Sequence, residues 1–256
     1  MAGGKITFLG TGTSTGVPQV GCGCAVCHSA DPRDRRLRCS ALVETADGCR
    51  LLVDCGPDFR AQMLSVPFAP LSAVLLTHEH YDHVGGLDDL RPFSVFGNVT
   101  VYADALCAAH LRERLSYCFA ESKYPGVPSI SLHTAAPGVP LRVGGHEITP
   151  VGVMHGKLPI LGYRIGPLAY ITDMSVLQPG QFALLRGVRT LVVNALRLKP
   201  HASHQSLAEA LAFVAEVASE RAYLTHISHD MGLHADTEAM LPAGVSLAYD
   251  GLVAEW

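Results

Sequence analysis

A single run of the chain carries four potential metal ligands within six residues: Thr77-His78-Glu79-His80-Tyr81-Asp82-His83. The run directly follows the apolar stretch Ala73-Val74-Leu75-Leu76, which is typical of a buried strand. Imidazole and carboxylate groups are the ligands that Zn, Mn and Fe take in proteins, and a turn presents alternate side chains to two adjacent ions. We therefore interpret the run as half of a two-metal centre, with the ligands His78, His80, Asp82 and His83, rather than as a polar surface loop.

Three further candidates each follow a strand-like run: His155 after 149–154, Asp173 after 168–172, and His226 after 221–225. Taken alone, a polar residue at such a place is more often hydrogen-bonded than bound to a metal. As an ordered set behind the first four ligands, the three fit a single site. A bridging carboxylate such as Asp173 commonly holds two cations about 3.5–4 Å apart.

The rest of the chain reads as alternating strands and helices. Apolar runs rich in Val, Ile, Leu and Tyr recur in both halves, and helical periodicity lies between them at 57–64, 105–118, 176–185 and 204–219. In the last helix Ser203 is the predicted N-cap, and the predicted buried stripe is Leu207, Leu211, Val214 and Val217. This pattern predicts stacked layers, with sheet between helices.

No repeat, low-complexity segment or linker divides the sequence. We expect one domain over residues 1–256, in which 103–145, rich in Pro and Gly after its helix, forms an insertion or a lid.

Composition excludes some classes of protein. The 256 residues are 48% hydrophobic and 16% charged, with a net charge of −4, so there is no basic footprint for general nucleic-acid binding. The first residues lack the basic and apolar regions of a signal peptide, and no stretch approaches the roughly 20 apolar residues of a membrane span. We expect a cytoplasmic protein without a membrane partner, whose eight cysteines are reduced or bind metal.

The ordered ligand set resembles the metallo-β-lactamase superfamily over essentially the whole sequence. The resemblance implies a layered α/β fold, an αββα sandwich of two mixed sheets flanked by helices, with the metals at one edge. It implies that His78, His80 and His155 bind one metal, that Asp82, His83 and His226 bind the second, and that Asp173 bridges the two. Asp54, at the end of an early strand, would support the site from behind the ligands.

A second cluster of potential ligands lies in the segment 18–40, where Cys22, Cys24 and Cys27 fall within six residues. A closed structural zinc site needs four ligands, so a fourth must come from elsewhere. His28 is adjacent, but neighbouring ligands strain the chelate, which favours His229, three residues past His226. The alternative is three unrelated buried cysteines.

The combination of motifs is similar to the PhnP family, cyclic-phosphate phosphodiesterases of the carbon–phosphorus lyase pathway. The motifs are the Gly-rich opening 10–18, the CxCxxC segment and Thr225-His226-Ile227-Ser228-His229. The resemblance implies a structural zinc on Cys22, Cys24, Cys27 and His229, and it suggests a homodimer. It makes His204 the candidate general acid, since an unperturbed histidine has a pKa of about 6.5, and it makes His201 a weaker candidate for that role and a candidate substrate contact. From the residues alone, the Gly-rich opening is as consistent with a structural turn as with a phosphate-binding loop.

One departure bears on the substrate. Where PhnP enzymes have Asp-Cys-Ser-His, this chain has Asn194-Ala195-Leu196-Arg197, and Arg197 is a candidate contact for a substrate phosphate or carboxylate.

We expect hydrolysis of a small phosphodiester, cyclic ones included, with two catalytic ions of Mn, Zn or Fe. The alternatives are a tRNA 3′-end-processing nuclease, whose basic arm is not found in this sequence, another hydrolase of the fold, such as one acting on thiolesters or lactams, and a non-enzymatic metal-binding module.

Overall fold

The computed structural model describes residues 3–120, 122–123 and 125–256. Within these residues the strands form two sheets. The first contains β1 Gly4–Gly10, β2 Ser40–Thr45, β3 Arg50–Val53, β4 Ala73–Leu75, β5 Val99–Ala103, β6 Ile130–Thr134 and the final strand, β15 Val253–Glu255. The second contains β7 Leu141–Val143, β8 His146–His155, β9 Leu158–Ile165, β10 Leu168–Ile171, β11 Val176–Leu177, β12 Thr190–Asn194, β13 Arg221–Thr225 and β14 Val245–Leu247.

Both sheets are mixed. The first runs in the order β15-β1-β2-β3-β4-β5-β6, and its strands β3 to β6 are parallel. The second runs β11-β8-β9-β10-β12-β13-β14, with β7 beside β8, and its strands β10, β12, β13 and β14 are parallel. The carboxyl ends of parallel strands meet at one edge of a sheet, where ligands usually bind.

Helices cover the outer face of each sheet. They are α1 Phe59–Met63, α2 Tyr81–Val84, α3 Ala105–Arg114, α4 Ser116–Phe119, α5 Leu207–Val217 and α6 His234–Glu238. Short 3-10 helices lie at Pro32–Asp34, Leu87–Phe96, Gln181–Leu185 and His229–Met231.

Three apolar clusters hold the layers together. One fills the space between the sheets and includes Phe8, Leu75 and Tyr163. A second lies between the first sheet and its helices, and a third packs α5 onto the second sheet through Ala210 and Phe213. The predicted αββα sandwich of two mixed sheets is therefore confirmed.

Three predicted helices differ in detail. The helix α5 begins at Leu207 with Ser206, not Ser203, as its N-cap, because Ser206 and Glu209 form a reciprocal capping box. The predicted helix 105–118 is interrupted at Leu115 between α3 and α4. Residues 176–185 form β11 and a 3-10 helix instead, because Val176 and Leu177 pair with the end of β8.

The buried stripe of α5 also shifts. Leu207 and Val214 are buried as predicted, with Ala210 and Phe213, whereas Leu211 and Val217 pack only partly buried against the core.

The segment 103–145 contributes α3, α4 and one strand to each sheet. It thus completes the sandwich, and a lid function for part of it stays a prediction. Across the described ranges, no helix combines the length and the apolar character needed to cross a bilayer.

Candidate metal centre

The predicted ligands come from four strand ends at one edge of the sandwich. The run 78–83 follows β4, His155 ends β8, Asp173 follows β10, and His226 follows β13. Two hydrogen bonds join the sheets beside this edge: the Leu161 amide donates to Thr77 O (2.9 Å) and the Tyr163 hydroxyl donates to Leu76 O (2.6 Å). The edge is therefore fixed from both sheets.

The backbone at this edge adopts an uncommon conformation. Among the described residues, four that are not glycine have a left-handed φ, and three of them lie here: Asp54 (60°), Asp173 (55°) and His226 (55°). Such a residue costs about 1–3 kcal/mol and persists only where its surroundings fix it. Strain at three strand ends of one edge is typical of a functional site, because each turn redirects one side chain towards the others.

The structure brings His78, His80 and His155 together, with their ligand atoms within 4.8 Å of one another. The His78 Nε2 to His80 Nδ1 distance is 2.9 Å. Burial first, and then the neighbouring His83, hold the pKa of His78 well below its usual range, so this imidazole is neutral, as a metal ligand must be.

Asp82, His83 and His226 form a second group within the same limit. Asp173 faces this group with both carboxylate oxygens: Oδ1 lies 3.0 Å from His226 Nε2, and Oδ2 lies 3.3 Å from His83 Nε2. Asp173 also groups with His78 of the first set. Its carboxylate is thus placed between the two groups, as a bridging ligand requires.

Unpartnered atoms show that this donor set fits metal ions. Nε2 of His83 and both ring nitrogens of His226 are buried and make no hydrogen bond within the described part of the chain. Buried polar atoms are rarely left unpaired. The close approach of His226 Nε2 to Asp173 without a hydrogen bond is expected of two atoms directed at a shared ion.

The electrostatics agree with a cation site. Burial works against a charged His83, yet the carboxylates of Asp173, Asp82 and Asp54 outweigh it and hold the pKa of His83 well above its usual range. The same field that favours a proton there favours a divalent cation.

Asp54 lies behind the ligands and is fully buried. It accepts hydrogen bonds from the Thr77 amide (2.8 Å) and hydroxyl (2.9 Å), and it lies 2.7 Å from His83 Nδ1. A carboxylate on Nδ1 fixes the tautomer that leaves Nε2 free for a metal. The predicted supporting role of Asp54 is consistent with this geometry.

His204 also reaches the cluster, since its Nε2 lies 3.0 Å from Asp173 Oδ1. Burial lowers the pKa of His204 to about 4, although the hydrogen bond with Asp173 opposes the shift. The pKa of His204 therefore lies below the unperturbed histidine value of about 6.5. His201 lies beside it, with 3.2 Å between their Nδ1 atoms, and is exposed.

Arg197 is engaged with its own loop. Its guanidinium donates to Lys199 O (3.2 Å) and Pro200 O (2.9 Å). A substrate contact by Arg197 stays a prediction, and it requires these two hydrogen bonds to break.

The cysteine cluster lies apart from the first two groups. Cys22, Cys24, Cys27 and His229 have ligand atoms within 4.8 Å of one another, and His229 Nδ1 lies 3.5 Å from Cys22 Sγ and 3.4 Å from Cys24 Sγ. Hydrogen bonds from the Cys27 amide and from His229 lower the pKa of the Cys24 thiol to about 6, which favours the thiolate that binds zinc. His28 instead places its Nδ1 3.2 Å from Cys24 O.

The Gly-rich opening forms backbone hydrogen bonds with Ile227, which lies between the ligands His226 and His229. The Ile227 amide donates to Thr11 O (2.9 Å), and the Thr13 amide donates to Ile227 O (3.1 Å). A side chain at Gly12 would meet Arg36 O at 2.9 Å, so the close backbone approach needs glycine. These backbone contacts are those of a structural turn, and a phosphate-binding role for the opening stays a prediction.

Sequence reasoning missed the polar residues that support the opening. Asp250 accepts hydrogen bonds from the Thr11 amide (2.9 Å) and hydroxyl (2.7 Å) and from the Leu37 amide (2.6 Å). Buried Arg36 donates to Thr11 Oγ1 (2.8 Å). Asp250 lies more than 200 residues from Thr11 and from Leu37 along the chain, so no local pattern marks it.

Comparisons with known proteins agree with this geometry. A sequence model of the beta-lactamase superfamily domain matches residues 49–227. The chain belongs to the metallo-β-lactamase superfamily. A solved diphosphatase of the PhnP family is 39% identical, with a TM-score of 0.92 over 99% of this chain and 97% of its own, which confirms the resemblance to that family.

Two further relatives differ more from this chain, the first in length and the second in sequence identity. An octanoyltransferase of Porphyromonas gingivalis is 44% identical over 98% of this chain, which spans about half (51%) of that protein. The zinc-bound PqqB of Methylobacterium extorquens shares the fold, with a TM-score of 0.77 at 23% identity over 98% of this chain and 99% of its own. Family and ligand geometry together identify a metal-dependent hydrolase fold that holds divalent metals.

Proposed function

We propose that this chain is a two-metal phosphodiesterase that hydrolyses a small phosphodiester, with cyclic phosphodiesters and diphosphate esters as the substrate classes. The observation that carries the proposal is the position of Asp173, whose two carboxylate oxygens face His226 and His83 of the second group and which also lies within ligand distance of His78 and His155 of the first. The 39% identical relative of the PhnP family is a diphosphatase, which supports a phosphoryl substrate.

Divalent cations at such a centre supply Lewis-acid activation of water and neutralise charge on a phosphoryl group. The chain's own contribution is orientation. Asp82 and Asp173 are buried, and ion pairing with the histidines holds the pKa of each below its usual range, so both remain acceptors throughout the neutral pH range. We assign to these two carboxylates the orientation of the attacking water and of the ions.

His204 is the proposed general acid for the leaving oxygen, by way of Nε2. Its lowered pKa leaves the imidazole neutral at pH 7, so it must take up a proton within the substrate complex. His204→Ala should slow esters with poor alkoxide leaving groups by ~10²–10⁴-fold and activated aryl esters far less. The measurement is kcat/KM for both ester classes in variant and parent.

His201→Ala is the matched control, because His201 is the neighbouring and exposed imidazole. Equal losses on both ester classes in His204→Ala would contradict the general-acid assignment. A selective loss in His201→Ala alone would transfer the role to His201.

The function itself is tested with a panel: bis-p-nitrophenyl phosphate, 2′,3′-cyclic nucleotides, ribose 1,2-cyclic phosphate and a diphosphate diester, each with added Mn²⁺ or Zn²⁺. We expect turnover of at least one class and none after chelation. A fully metallated preparation that hydrolyses none of them would favour a metal-binding module instead.

The other readings receive less support. The match to the octanoyltransferase covers 51% of that protein, so its transferase activity gives no assignment to this chain. The net charge of −4 continues to favour a small substrate over tRNA.

A further inference from the structure

A buried thiol lies at the junction of the two sheets beneath the proposed metal centre. Cys39 immediately precedes β2 of the first sheet, and its side chain is fully buried. Its Sγ lies 3.2 Å from the Tyr170 hydroxyl and 3.2 Å from the Thr225 hydroxyl, both of which belong to the second sheet. A third hydroxyl, Thr172 Oγ1, lies 3.8 Å away. One thiol from the first sheet therefore meets three hydroxyls from the second.

Two of these hydroxyls belong to threonines that stand directly before predicted ligands, and both ligands have a left-handed φ. Thr172 precedes Asp173, and Thr225 precedes His226. The Thr172 hydroxyl also donates to Asp173 Oδ2 at 2.7 Å. Contacts at these two threonines thus act on the strained turns that direct Asp173 and His226 towards each other.

The hydrogen of the Thr172 hydroxyl can be assigned. Thr172 has one hydroxyl hydrogen, and the short bond to a carboxylate uses it, because charge-assisted hydrogen bonds are the stronger ones. At the 3.2 Å contacts with Tyr170 and Thr225, either the hydroxyl or the thiol is the donor. Burial raises the pKa of the Cys39 thiol to about 11, so the thiol keeps its hydrogen at neutral pH.

From this arrangement we infer that Cys39 is a positioning residue, which fixes Asp173 and His226 across the sheet junction through Thr172, Thr225 and Tyr170. The role rests on the proposed two-metal function, because it concerns the ligands of those ions. Residues that orient metal ligands commonly change metal affinity by 10–100-fold when they are replaced. Cys39 itself touches neither substrate nor ion.

The test is Mn²⁺ binding by calorimetry to protein from which the labile ions have been removed. Cys39→Ala should weaken Mn²⁺ binding at the Asp173 site at least tenfold. Thr172→Val, which removes the hydroxyl but keeps the shape, should do the same, and Thr172→Ser should restore tight binding. The double variant Cys39→Ala/Thr172→Val should lose less than the product of the single losses, because both act through one chain of contacts.

Cys107→Ala is the matched control, since Cys107 is equally buried in α3, away from these contacts. It should leave Mn²⁺ affinity unchanged even if the melting temperature falls. Parental Mn²⁺ affinity in Cys39→Ala, or an equal loss in Cys107→Ala, would overturn the positioning role. If Cys39→Ala fails to fold, the comparison of Thr172→Val with Thr172→Ser decides. Equal Mn²⁺ affinity in these two variants would overturn the positioning role. A parent protein that takes up no labile ions would instead refute the two-metal function.

Discussion

The histidine–aspartate cluster and the cysteine cluster contrast in nearly every physical property, although His226 and His229 stand only three residues apart. The first is built at strand ends at one edge of the sandwich, from hard and borderline ligands that are mostly buried, although His80 is exposed. The second is built on a half-buried loop from three thiols and one imidazole. The first has left-handed backbone and carboxylate support behind its ligands, whereas the second combines a local contact between Cys27 and Cys24 with a distant histidine, His229.

The roles proposed for the two clusters would separate catalysis from stability within one fold. Strain and excess negative charge are useful where an ion must bind water and exchange ligands, and a scaffold from both sheets can sustain them. Four closed ligands on a loop instead give a structural site, whose binding energy adds to folding. The Ile227 contacts with Thr11 and Thr13 join the two regions mechanically.

Removing the Asp173 carboxylate should have the largest effect, and the effect should be confined to the histidine–aspartate cluster. Asp173→Asn keeps the volume of the side chain but removes the charge between the two ligand groups, so activity should fall by ~10³-fold or more while the cysteine-site zinc remains. Parallel assays and metal analysis of the purified variant measure both effects. Asp236→Asn, exposed on α6, is the control. Simultaneous loss of the cysteine-site zinc in Asp173→Asn would contradict the separation.

Breaking the cysteine site should act first on stability. Cys24→Ser should lower the free energy of unfolding by at least about 2 kcal/mol, roughly 4–8 °C in melting temperature for a chain of this size, and loosen the second catalytic ion through His226. Thermal unfolding and metal content measure these effects. His28→Ala should change neither. An unchanged melting temperature and metal content in Cys24→Ser would count decisively against the structural role.

Asp250, which supports the segment that joins the two clusters, should make a smaller contribution to stability, and this contribution should depend on pH. Burial raises the pKa of this carboxyl from 3.8 to about 6. Its contribution is therefore fully present below about pH 4 and is lost as the pH rises through 6. Relative to Asp250→Asn, the parent should lose about 1 kcal/mol of stability between pH 5 and 8, measured by urea unfolding. A constant difference over that range would show that the carboxyl does not titrate as described.

Both clusters of potential metal ligands could be recognised from the sequence, because each contains several ligand residues close together in the chain. Four ligands within six residues at 78–83, and three thiols within six at 22–27, need no knowledge of the fold. Strand ends also predicted the places of His155, Asp173 and His226, since strands of one sheet deliver their ends to a shared edge. Their ligand roles stay predictions.

What the sequence could not supply depends on tertiary contacts. The positive φ of Asp173 and the lowered pKa of His204 arise from burial among groups distant in the chain. The N-cap of α5 is different, because Ser206 with Glu209 three residues later is a visible capping box that Ser203 lacks. The strand at Val176 also depends on a tertiary contact, because its pairing with Met154 overrode the helical pattern of 176–185.

A metal count during graded chelation tests the two-site description most directly. The description predicts about three ions per chain, of which two leave at low chelator concentration without unfolding and one remains until the chain unfolds. Asp173→Asn should abolish only the labile pair, and Cys24→Ser should remove the tightly held ion. A total of about one ion, or loss of all ions at a single chelator concentration, would contradict it.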